Sequence, residues 1–517
     1  MSSDARTLPL GEPPAGEASA VRSRAAGRLR PRGLADADAA TRVGLIALIT
    51  IVALSLLIVV MAADRPSILS PTTHVDFYPH WMAGPLGGLW PGMTTNSTKL
   101  KYLFSGSVIL MYIAYLVTLR RARGLPLRWL IAAILAVHAV FVVAPPLALT
   151  DVFNYINYGR MEVVHHLNPY TSIPISEPHS DPSYILSNWH QLLSPYGPLF
   201  TLLTFAVVPL GVAASFWALK MILALASLGT ILLVWRCAQL LGRDGRTAIV
   251  LVGLNPIVLV WGLGGDHNDF LMVFFIMLGF YLLLLAQSRE GAADVPAGGG
   301  GVRRWLLPLS GIEIGAGAAF VTATAIKASG GVLLPVVLVV LLRRPRSLVQ
   351  VVLGMALASV LVGALSLMAF GLHIPDLSTQ SRLVTNESVP NLLGLAVGAG
   401  GESTTIHTLM SGVLALSLLA CCWLAWRRRD AITAAGWASV ALLLTLSWVL
   451  PWYVLWVLPL AALSRSRALR SATVLLGVYL IIAWAPASGL LWSAIGFQPE
   501  KTSLGRLHER WVRELLH

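Results

Sequence analysis

The chain has 517 residues, of which 56% are hydrophobic and only 12% are charged, and its mean hydropathy is +0.73. Soluble domains have about 25% charged residues, so this composition excludes a soluble globular protein. The length has room for about a dozen membrane spans of about 20 residues each. We therefore predict an all-α, polytopic protein of the plasma membrane with no soluble domain of useful size.

The formal net charge of +13 is carried mainly by arginines in the N-terminal tail and beside apolar runs. Outside the tail these are Arg120, Arg121, Arg123, Arg128, Arg236, Arg243, Arg246, Arg289, Arg303, Arg304, Arg343, Arg344, Arg346, Arg427, Arg428, Arg429, Arg465, Arg467 and Arg470. Arginine clusters at short loops are typical of the cytoplasmic side of a membrane protein. This distribution explains the charge by topology, without a nucleic-acid partner.

The N-terminal region divides into a tail and a pair of spans. Residues 1–41 are rich in Pro, Ala, Gly and Arg and lack periodicity, which predicts a disordered cytoplasmic tail. The apolar run Val43–Ala63 is too long for the core of a signal peptide and predicts a retained span. A second span at about 102–119 completes an N-terminal pair within residues 42–127.

A third span at about 129–149 leads into a polar, aromatic segment, residues 150–198, which is far longer than a turn between two spans requires. With the arginine clusters inside, this segment is a large external loop. The apolar stretch 199–235 is interpreted as one net crossing, with a short or re-entrant piece at 199–212, because the arginines that follow it must lie inside.

Further spans alternate across the membrane, giving about 13 in total and an external C-terminal tail, residues 499–517. They are predicted at about 247–263, 269–286, 305–325, 328–342, 348–370, 404–426, 431–449, 452–463 and 471–496. Several are shorter than a full crossing, which indicates broken helices or a cavity that admits water.

Placing the arginine clusters inside puts a set of polar and aromatic residues on the outer side. They are Asp151, Arg160, His165, His166, Asp266, His267, Asp269, Lys327, Arg382, Trp452 and Tyr453. Ionisable residues at the membrane boundary are rare and usually functional. Their convergence on one face predicts a site there.

Asp151 directly follows an apolar span, where partial burial would raise the pKa of a carboxylate and suit it to act as a general base for a hydroxyl. Its position fits a helix N-cap equally well. The run Asp266, His267, Asn268 and Asp269 lies between two spans. It can cap a helix, order a neighbouring loop or bind a sugar, but these four residues cannot complete a metal site alone. No metal or other cofactor is predicted.

Lys327 is the only basic residue in its external turn. It either extends to the membrane surface or provides a point charge for a phosphate. Arg382 is a second candidate for phosphate binding, and Arg160 either binds phosphate or pairs with Glu162. Aromatic residues near the interface include Tyr155, Tyr196, Trp452 and Tyr453, for which an ordinary aromatic belt is the alternative to substrate contact.

An external carboxylate, an external cation and an apolar groove together suit transfer of a sugar from a lipid-linked phosphate to a hydroxyl. The leaving phosphate needs charge neutralisation, and the acceptor hydroxyl needs a base. A nucleotide-sugar donor would require a soluble nucleotide-binding domain, for which the chain has no room.

Three motifs in the loop carry a family resemblance, followed by three further motifs in matching order. They are Asp151-x3-Tyr155-x3-Gly159-Arg160, Asn168-Pro-Tyr170, Ser194-Pro-Tyr-Gly-Pro-Leu199, Gly265-Asp-His-Asn-Asp269, Ile326-Lys327 and Pro451-Trp-Tyr453. Together they resemble GT-C glycosyltransferases, in particular the actinobacterial polyprenol-phosphomannose-dependent α-1,6-mannosyltransferases of lipomannan and lipoarabinomannan assembly. The likeness covers about 130–460.

The resemblance implies a GT-C fold in residues 128–498, with short juxtamembrane helices in the external loop. It also implies an inverting transfer from a polyprenyl-phosphate mannose to a glycolipid or glycan acceptor, with Asp151 as the base and no metal. The chain departs from the usual pattern because two spans precede the catalytic loop, so the N-terminal pair is an addition.

Two other classes of protein remain open. A transporter or lipid-linked sugar flippase would share the composition, but it should carry charged residues in the middle of facing spans. A lipid-linked glycan ligase is also polytopic with one large external loop, and it would use arginine and histidine of that loop, so that Asp151 would matter little.

Overall fold

All regular secondary structure in the described part of the chain is helical, which confirms the predicted all-α class. The structure is a computed structural model that describes residues 32–64, 79–92, 96–147, 151–292 and 310–516. The predicted tail up to residue 31 and the cluster residues Arg303 and Arg304 lie outside these ranges.

The α-helices of the described residues are numbered in chain order. They are α1 (Arg32–Asp64), α2 (Ser97–Arg121), α3 (Leu127–Val142), α4 (Asp151–Val163), α5 (Pro182–Leu186), α6 (Pro198–Val207), α7 (Val212–Leu240), α8 (Gly245–Gly253), α9 (Asp269–Ala292), α10 (Gly311–Ile326), α11 (Leu334–Leu341), α12 (Pro345–Phe370), α13 (Val389–Ala396), α14 (Thr404–Arg428), α15 (Ala431–Thr445), α16 (Leu458–Leu463), α17 (Arg467–Trp484), α18 (Ser488–Ala494) and α19 (Ser503–Leu516).

Seven of these helices, namely α1, α2, α7, α9, α12, α14 and α17, are long and apolar enough to cross a membrane. Shorter apolar segments include α3, α6, α10, α11, α15 and α16, some of them extended by a 3-10 turn. A polytopic membrane protein with several short or broken apolar helices is therefore confirmed. Helix α1 begins at Arg32, inside the segment predicted to be a disordered tail.

The stretch 199–235 contains one long helix and one short helix, in agreement with the predicted division. Helix α6 is followed by a 3-10 turn, Val208–Leu210, which contains Pro209, and α7 then starts after Gly211. The glycine has φ +81°, a conformation that other residues adopt only at a cost. This glycine lets the chain reverse between the two helices.

Two glycines bring α10 and α12 into close contact. A Cβ atom on Gly317 would collide with the carbonyl oxygen of Val351, and one on Gly354 would collide with that of Ile314. Small residues allow helix backbones to approach closely in membrane proteins, where dispersion contacts replace the hydrophobic drive. The contact fixes the position of α10, whose C-terminal end precedes Lys327.

The C-terminal region differs from the sequence-based prediction in two places. The span predicted at 471–496 is two helices, α17 and α18, because Pro486 lies between them and cannot donate a backbone hydrogen bond. The predicted tail after residue 498 contains the ordered helix α19. The carbonyl of Leu515 in this helix accepts a hydrogen bond of 3.0 Å from the amide of Gln191, so α19 packs against the loop segment 151–198.

The loop segment 151–198 is a folded cap whose helix α4 is mostly buried. Its short helices, α4 and α5, agree with the juxtamembrane helices that the family resemblance implies. The phenol of Tyr158 in α4 donates a hydrogen bond of 2.7 Å to the carbonyl of Leu192, and Ser183 in α5 donates one of 2.9 Å to Asn157 Oδ1. These bonds tie the two ends of the loop together.

Candidate active site

A cavity of about 330 Å3 lies between the loop segment 151–198 and the ends of several apolar helices. Six of the residues singled out from the sequence line it. They are Asp151, Tyr155, Tyr196, Lys327, Trp452 and Tyr453. The remaining wall is largely apolar or aromatic and includes Trp189, Trp448 and Trp456. Residues more than 300 positions apart in the sequence thus meet at one concave surface.

Asp151 is the first residue of α4 and reaches the cavity from the loop side. The start of this helix is brought to the Asp266–Asp269 turn by a backbone hydrogen bond of 2.8 Å from Leu147 to Gly264. The carboxylate is one-seventh exposed, and its Oδ2 lies 3.2 Å from Nδ1 of the buried His267. A carboxylate at a helix N-terminus is favoured by the helix dipole. Asp151 is therefore held in place yet accessible from the cavity.

His267 and Trp452 form a stacked pair beneath this carboxylate. Their ring centroids are 3.4 Å apart and the ring planes differ by 8°. Although His267 Nδ1 is close to Asp151, the two groups are not aligned as a hydrogen bond, and neither ring nitrogen has a hydrogen-bond partner in the described part of the chain. Buried polar atoms are normally satisfied. Nδ1 thus faces the Asp151 carboxylate, and Nε2 has no partner among the described residues.

Lys327 brings positive charge to the cavity. Its Nζ lies 3.0 and 2.8 Å from the two carboxylate oxygens of Asp269, and it sits 4.9 Å from the ring centre of Tyr453 and 5.6 Å from that of Trp456. Asp269 is buried and also accepts a hydrogen bond of 2.6 Å from the indole nitrogen of Trp456. The lysine side chain is one-fifth exposed. The ammonium is thus fixed from behind and open towards the cavity.

Asp266 points away from the cavity and forms a buried ion pair with Lys220. Lys220 Nζ lies 2.9 and 3.0 Å from the two oxygens of Asp266, and both side chains are almost completely buried. Asp266 has φ +59°, which is uncommon for a residue other than glycine and marks a constrained turn. The pair holds the turn that presents His267 and Asp269.

Lys220 was not predicted from the sequence. It lies in the first third of α7, inside an apolar run, and its isolation there was the signal that should have marked it. Unlike the polar residues singled out from the sequence, this lysine lies inside a long apolar helix. Its partner Asp266 lies in a turn, so the pair does not link two facing spans at their centres.

Asn268 supports the floor of the site. Its backbone amide donates a hydrogen bond of 3.4 Å to the phenolic oxygen of Tyr155. The side-chain amide is buried, and neither its nitrogen nor its oxygen has a hydrogen-bond partner among the described residues. Like His267, it lies next to the cavity without being part of its wall.

The tyrosines of the loop form a rigid edge of the cavity. The rings of Tyr155 and Tyr196 meet edge to face with centroids 4.7 Å apart, and both pack on Phe200. Burial raises the pKa of Tyr155 and of Tyr196 well above the usual range, and the negative charge of Asp151 raises both further. They remain neutral phenols and cannot supply a base.

The Ser194–Pro198 motif docks the loop beside Lys327. The amide of Gly197 donates a hydrogen bond of 3.1 Å to the carbonyl of Ile326, and a Cβ atom at this position would collide with the carbonyl of Ala325. Only glycine allows this close approach. The motif therefore places Tyr196 and Lys327 on the same side of the cavity.

The Asn168–Tyr170 motif anchors the middle of the loop. The side-chain amide of Asn168 donates a hydrogen bond of 2.9 Å to the carbonyl of Phe370 at the end of α12. Tyr170 donates one of 2.8 Å to the carbonyl of Tyr196. The Ser194–Pro198 and Asn168–Tyr170 motifs thus both fix the loop over the cavity.

Arg160 does not reach the cavity. It pairs with Asp181, with Nη2 2.7 Å and Nε 3.0 Å from its carboxylate oxygens, and His165 lies 2.8 Å from the same carboxylate. Burial would raise the pKa of Asp181, but hydrogen bonds from Arg160, Ser183 and His165 outweigh it and hold the pKa well below its usual range. Arg160 was expected to bind phosphate or to pair with Glu162, and in the structure it pairs with Asp181 instead.

Arg382 is exposed at the rim, while its neighbours Gln380, Ser381 and Leu383 line the cavity. The structure brings Lys327 to the cavity and leaves Arg382 outside it. Within the described ranges, no group of three or more His, Cys, Asp or Glu residues is arranged to hold a metal ion.

Fold and site together define a class of protein, a polytopic all-α membrane protein with a carboxylate and a lysine at an aromatic cavity under a folded loop. The family described as alpha-(1->6)-mannopyranosyltransferase, N-terminal domain, matches residues 41–343, and one described as MptB C-terminal domain matches residues 387–497. The chain belongs to the alpha-(1->6)-mannopyranosyltransferase family and is a glycosyltransferase of the mannosyltransferase type.

Individual relatives are similar over two thirds of the chain or over a shorter part of it. Alpha-(1->6)-mannopyranosyltransferase A of Mycobacterium tuberculosis is 28% identical over 377 residues, which is 67% of this chain and 68% of the relative. A second alpha-(1->6)-mannopyranosyltransferase of the same organism is 26% identical over 403 residues, 67% of each chain. Alpha-(1->6)-mannopyranosyltransferase A of Corynebacterium glutamicum is 30% identical over 157 residues, 29% of this chain and 31% of the relative. No solved structure matches the chain.

Proposed function

We propose that the protein transfers a mannosyl residue from a polyprenyl-phosphate donor to a hydroxyl of a glycolipid or polysaccharide acceptor at the extracytoplasmic face of the plasma membrane. The proposed product is an α-1,6-linked glycan of the lipomannan or lipoarabinomannan type. The observation that carries this proposal is the shared cavity, in which Asp151 and Lys327 face the same space. A base and a cation are the two groups that this chemistry requires.

In the proposed reaction, Asp151 accepts the proton of the acceptor hydroxyl as its oxygen attacks the anomeric carbon. The bond between that carbon and the phosphate oxygen breaks, and the phosphate leaves with the electron pair. Because attack and departure occur on opposite faces of the sugar, a single displacement inverts the anomeric configuration. Lys327 stabilises the charge that develops on the leaving phosphate.

The aromatic wall suits the two other parts of the substrates. Trp452, Tyr453 and Tyr155 offer flat apolar faces and fixed polar atoms, which fit the mixed surface of a sugar ring. The unpartnered side chains of His267 and Asn268 lie next to these faces and are proposed to contact the sugar directly or through water. The rest of the wall is apolar and fits the first units of a polyprenyl chain.

Two features favour this proposal over the alternatives. Arg160 and His165, two of the loop residues that a glycan ligase could use, are engaged with Asp181 and stabilise the loop. The buried Lys220–Asp266 pair is fully neutralised, unlike a charge that a transporter must expose alternately to two sides.

The first test replaces the proposed base. Asp151→Asn keeps the size of the side chain but removes its basicity, and general base catalysis contributes about 10²- to 10⁴-fold. Transfer of mannose by the purified protein, with synthetic polyprenyl-phosphate mannose and a short mannoside acceptor, should fall by that factor while the amount of folded protein is unchanged. Glu509→Gln, which makes the same carboxylate-to-amide change on exposed α19, is the control. Retained activity in Asp151→Asn would refute the mechanism.

The second test concerns the donor phosphate. Lys327→Ala should raise the KM for the lipid donor more than the KM for the acceptor, because the lysine contacts only the phosphate in the proposed complex. Donors that carry mannose, glucose or arabinose on the same lipid establish the sugar preference in the same assay. An unchanged kcat/KM for the donor would rule out the assignment of Lys327.

A further inference from the structure

A second cavity, of about 610 Å3, lies at the arginine-rich end of the bundle. Its wall combines the ends of α2 and α7 with the starts of α8 and α17. Helix α7 extends about 30 Å from Lys220 to its last turn, and Lys220 pairs with Asp266 in the turn beside the candidate active site. This arginine cavity is therefore at the opposite end of the bundle from Asp151 and takes no part in the proposed transfer.

The wall of the arginine cavity has a large excess of positive charge. Its arginines are Arg120, Arg123, Arg243, Arg465 and Arg470, and Asp244 is its one acidic residue among those described. Asp244 is already engaged, since it caps α8 by accepting a hydrogen bond of 3.3 Å from Thr247 and lies 3.3 Å from Arg123 Nε. The other arginines of the wall have no carboxylate within ion-pair distance among the described residues.

Arg243 lies in the wall of the arginine cavity with part of its side chain buried. Its Nε and Nη1 atoms are buried and have no hydrogen-bond partner in the described ranges. It also lines a neighbouring cavity of about 270 Å3, together with Arg428, Arg429 and Arg465. Burial lowers the pKa of Arg243, and Arg465 and Arg470 lower it further against the opposing charge of Asp430. A guanidinium pays a high cost for burial without a partner.

Two helices present their N-termini to the same space. Helices α8 and α17 start at this space, but their N-termini are already capped by Asp244 and Ser466, so the binding of an anion is left to the arginine side chains. Arginines that only set membrane topology need no cavity, and their side chains would extend into water. Arg243 is partly exposed, and its two buried nitrogens without a hydrogen-bond partner among the described residues distinguish this place from an ordinary positive loop.

We propose that the arginine cavity binds a phosphate or diphosphate group. Arginine suits this ligand because its planar guanidinium donates two parallel hydrogen bonds to phosphate oxygens. Arg243 contributes the buried donors, and Arg120, Arg465 and Arg470 contribute charge at the rim. The group belongs either to a phospholipid headgroup in the adjacent leaflet or to a soluble anion, and both sources offer the same oxygens.

The test uses the full chain purified in a neutral detergent. Binding of radiolabelled pyrophosphate is measured at equilibrium, and retention of phosphatidylglycerol against phosphatidylcholine is measured by native mass spectrometry after release from nanodiscs that contain both lipids. Pyrophosphate binding identifies a soluble ligand, and selective retention of phosphatidylglycerol identifies a lipid headgroup. Either result supports the site when the variants below weaken it.

Arg243→Gln should weaken the bound probe about ten-fold or more, the loss typical of a charge-assisted hydrogen bond. Arg465→Gln, at an exposed position, tests the same cavity without a burial change and should weaken binding less. The matched control is Arg236→Gln, which removes the same charge from an exposed residue of α7 outside both cavities. Binding of neither probe, or an equal loss in all three variants, would overturn the proposal.

Discussion

The buried pair between Lys220 and Asp266 yields the sharpest quantitative prediction. Lys220→Met keeps the length and apolar stem of the side chain but leaves the Asp266 carboxylate buried without its counter-charge. Both side chains are at most 2% exposed, and the Nζ to oxygen distances are 2.9 and 3.0 Å, so water cannot replace the lysine. Removing one partner of such a pair costs about 3–5 kcal/mol of stability.

The assay is thermal unfolding of the detergent-purified protein, measured alongside mannosyl transfer. Lys220→Met should lower the unfolding temperature and the transfer rate together, because the turn at Asp266 also places His267 and Asp269. The double variant Lys220→Met with Asp266→Asn should recover most of the stability, since no charge remains buried and asparagine tolerates the positive φ of this position.

Arg236→Met, an exposed change on the same helix, controls for loss of a positive charge and should leave stability within about 0.5 kcal/mol. A Lys220→Met protein as stable as the wild type would refute the reasoning, because it would mean that the pair is not a charged one. A double variant no more stable than the single variant would show that the loss comes from packing rather than from charge.

Two further predictions concern the loop. Gly197→Ala should lower the free energy of unfolding by about 1–3 kcal/mol and reduce transfer, since its Cβ would collide with the carbonyl of Ala325. The control is Gly412→Ala, where a Cβ meets nothing. Equal melting temperatures for the two variants would contradict this prediction. Burial raises the pKa of Glu177 from 4.5 to about 8, so its contribution to stability is full below pH 4.5 and is lost as the pH rises through about 8. Glu177→Gln should therefore flatten the decline in melting temperature across this window, and an unchanged slope would exclude Glu177 as its source.

The sequence was sufficient to predict the class of the fold and the convergence of several polar residues on one site. Because the arginine clusters set the direction of each predicted span, Asp151, Lys327 and Trp452 were expected on one face of the membrane. The structure then shows these three residues around one cavity. Composition and charge patterning act over whole segments, which is why they can be read without tertiary contacts.

The sequence did not predict which side chains pair with each other. Arg160 pairs with Asp181 across a loop that has no periodicity, so no spacing rule could match them. Lys220 and Asp266 are separated by 46 positions and meet only because α7 packs against α9. The break between α17 and α18 did have a local signal, Pro486, which the apolar run around it obscured.

Lys327 has a consequence for the end of the reaction rather than its start. In the proposed reaction the donor is a phosphodiester with one negative charge, and the departing lipid phosphate is a monoester that approaches two at neutral pH. Lys327 is already paired with Asp269, so its positive charge is partly neutralised. The departing lipid phosphate therefore contacts a weakened cation with a fixed negative charge behind it. This arrangement favours release of the carrier and thereby turnover, since a free lysine in the same place would hold the product more tightly than the donor.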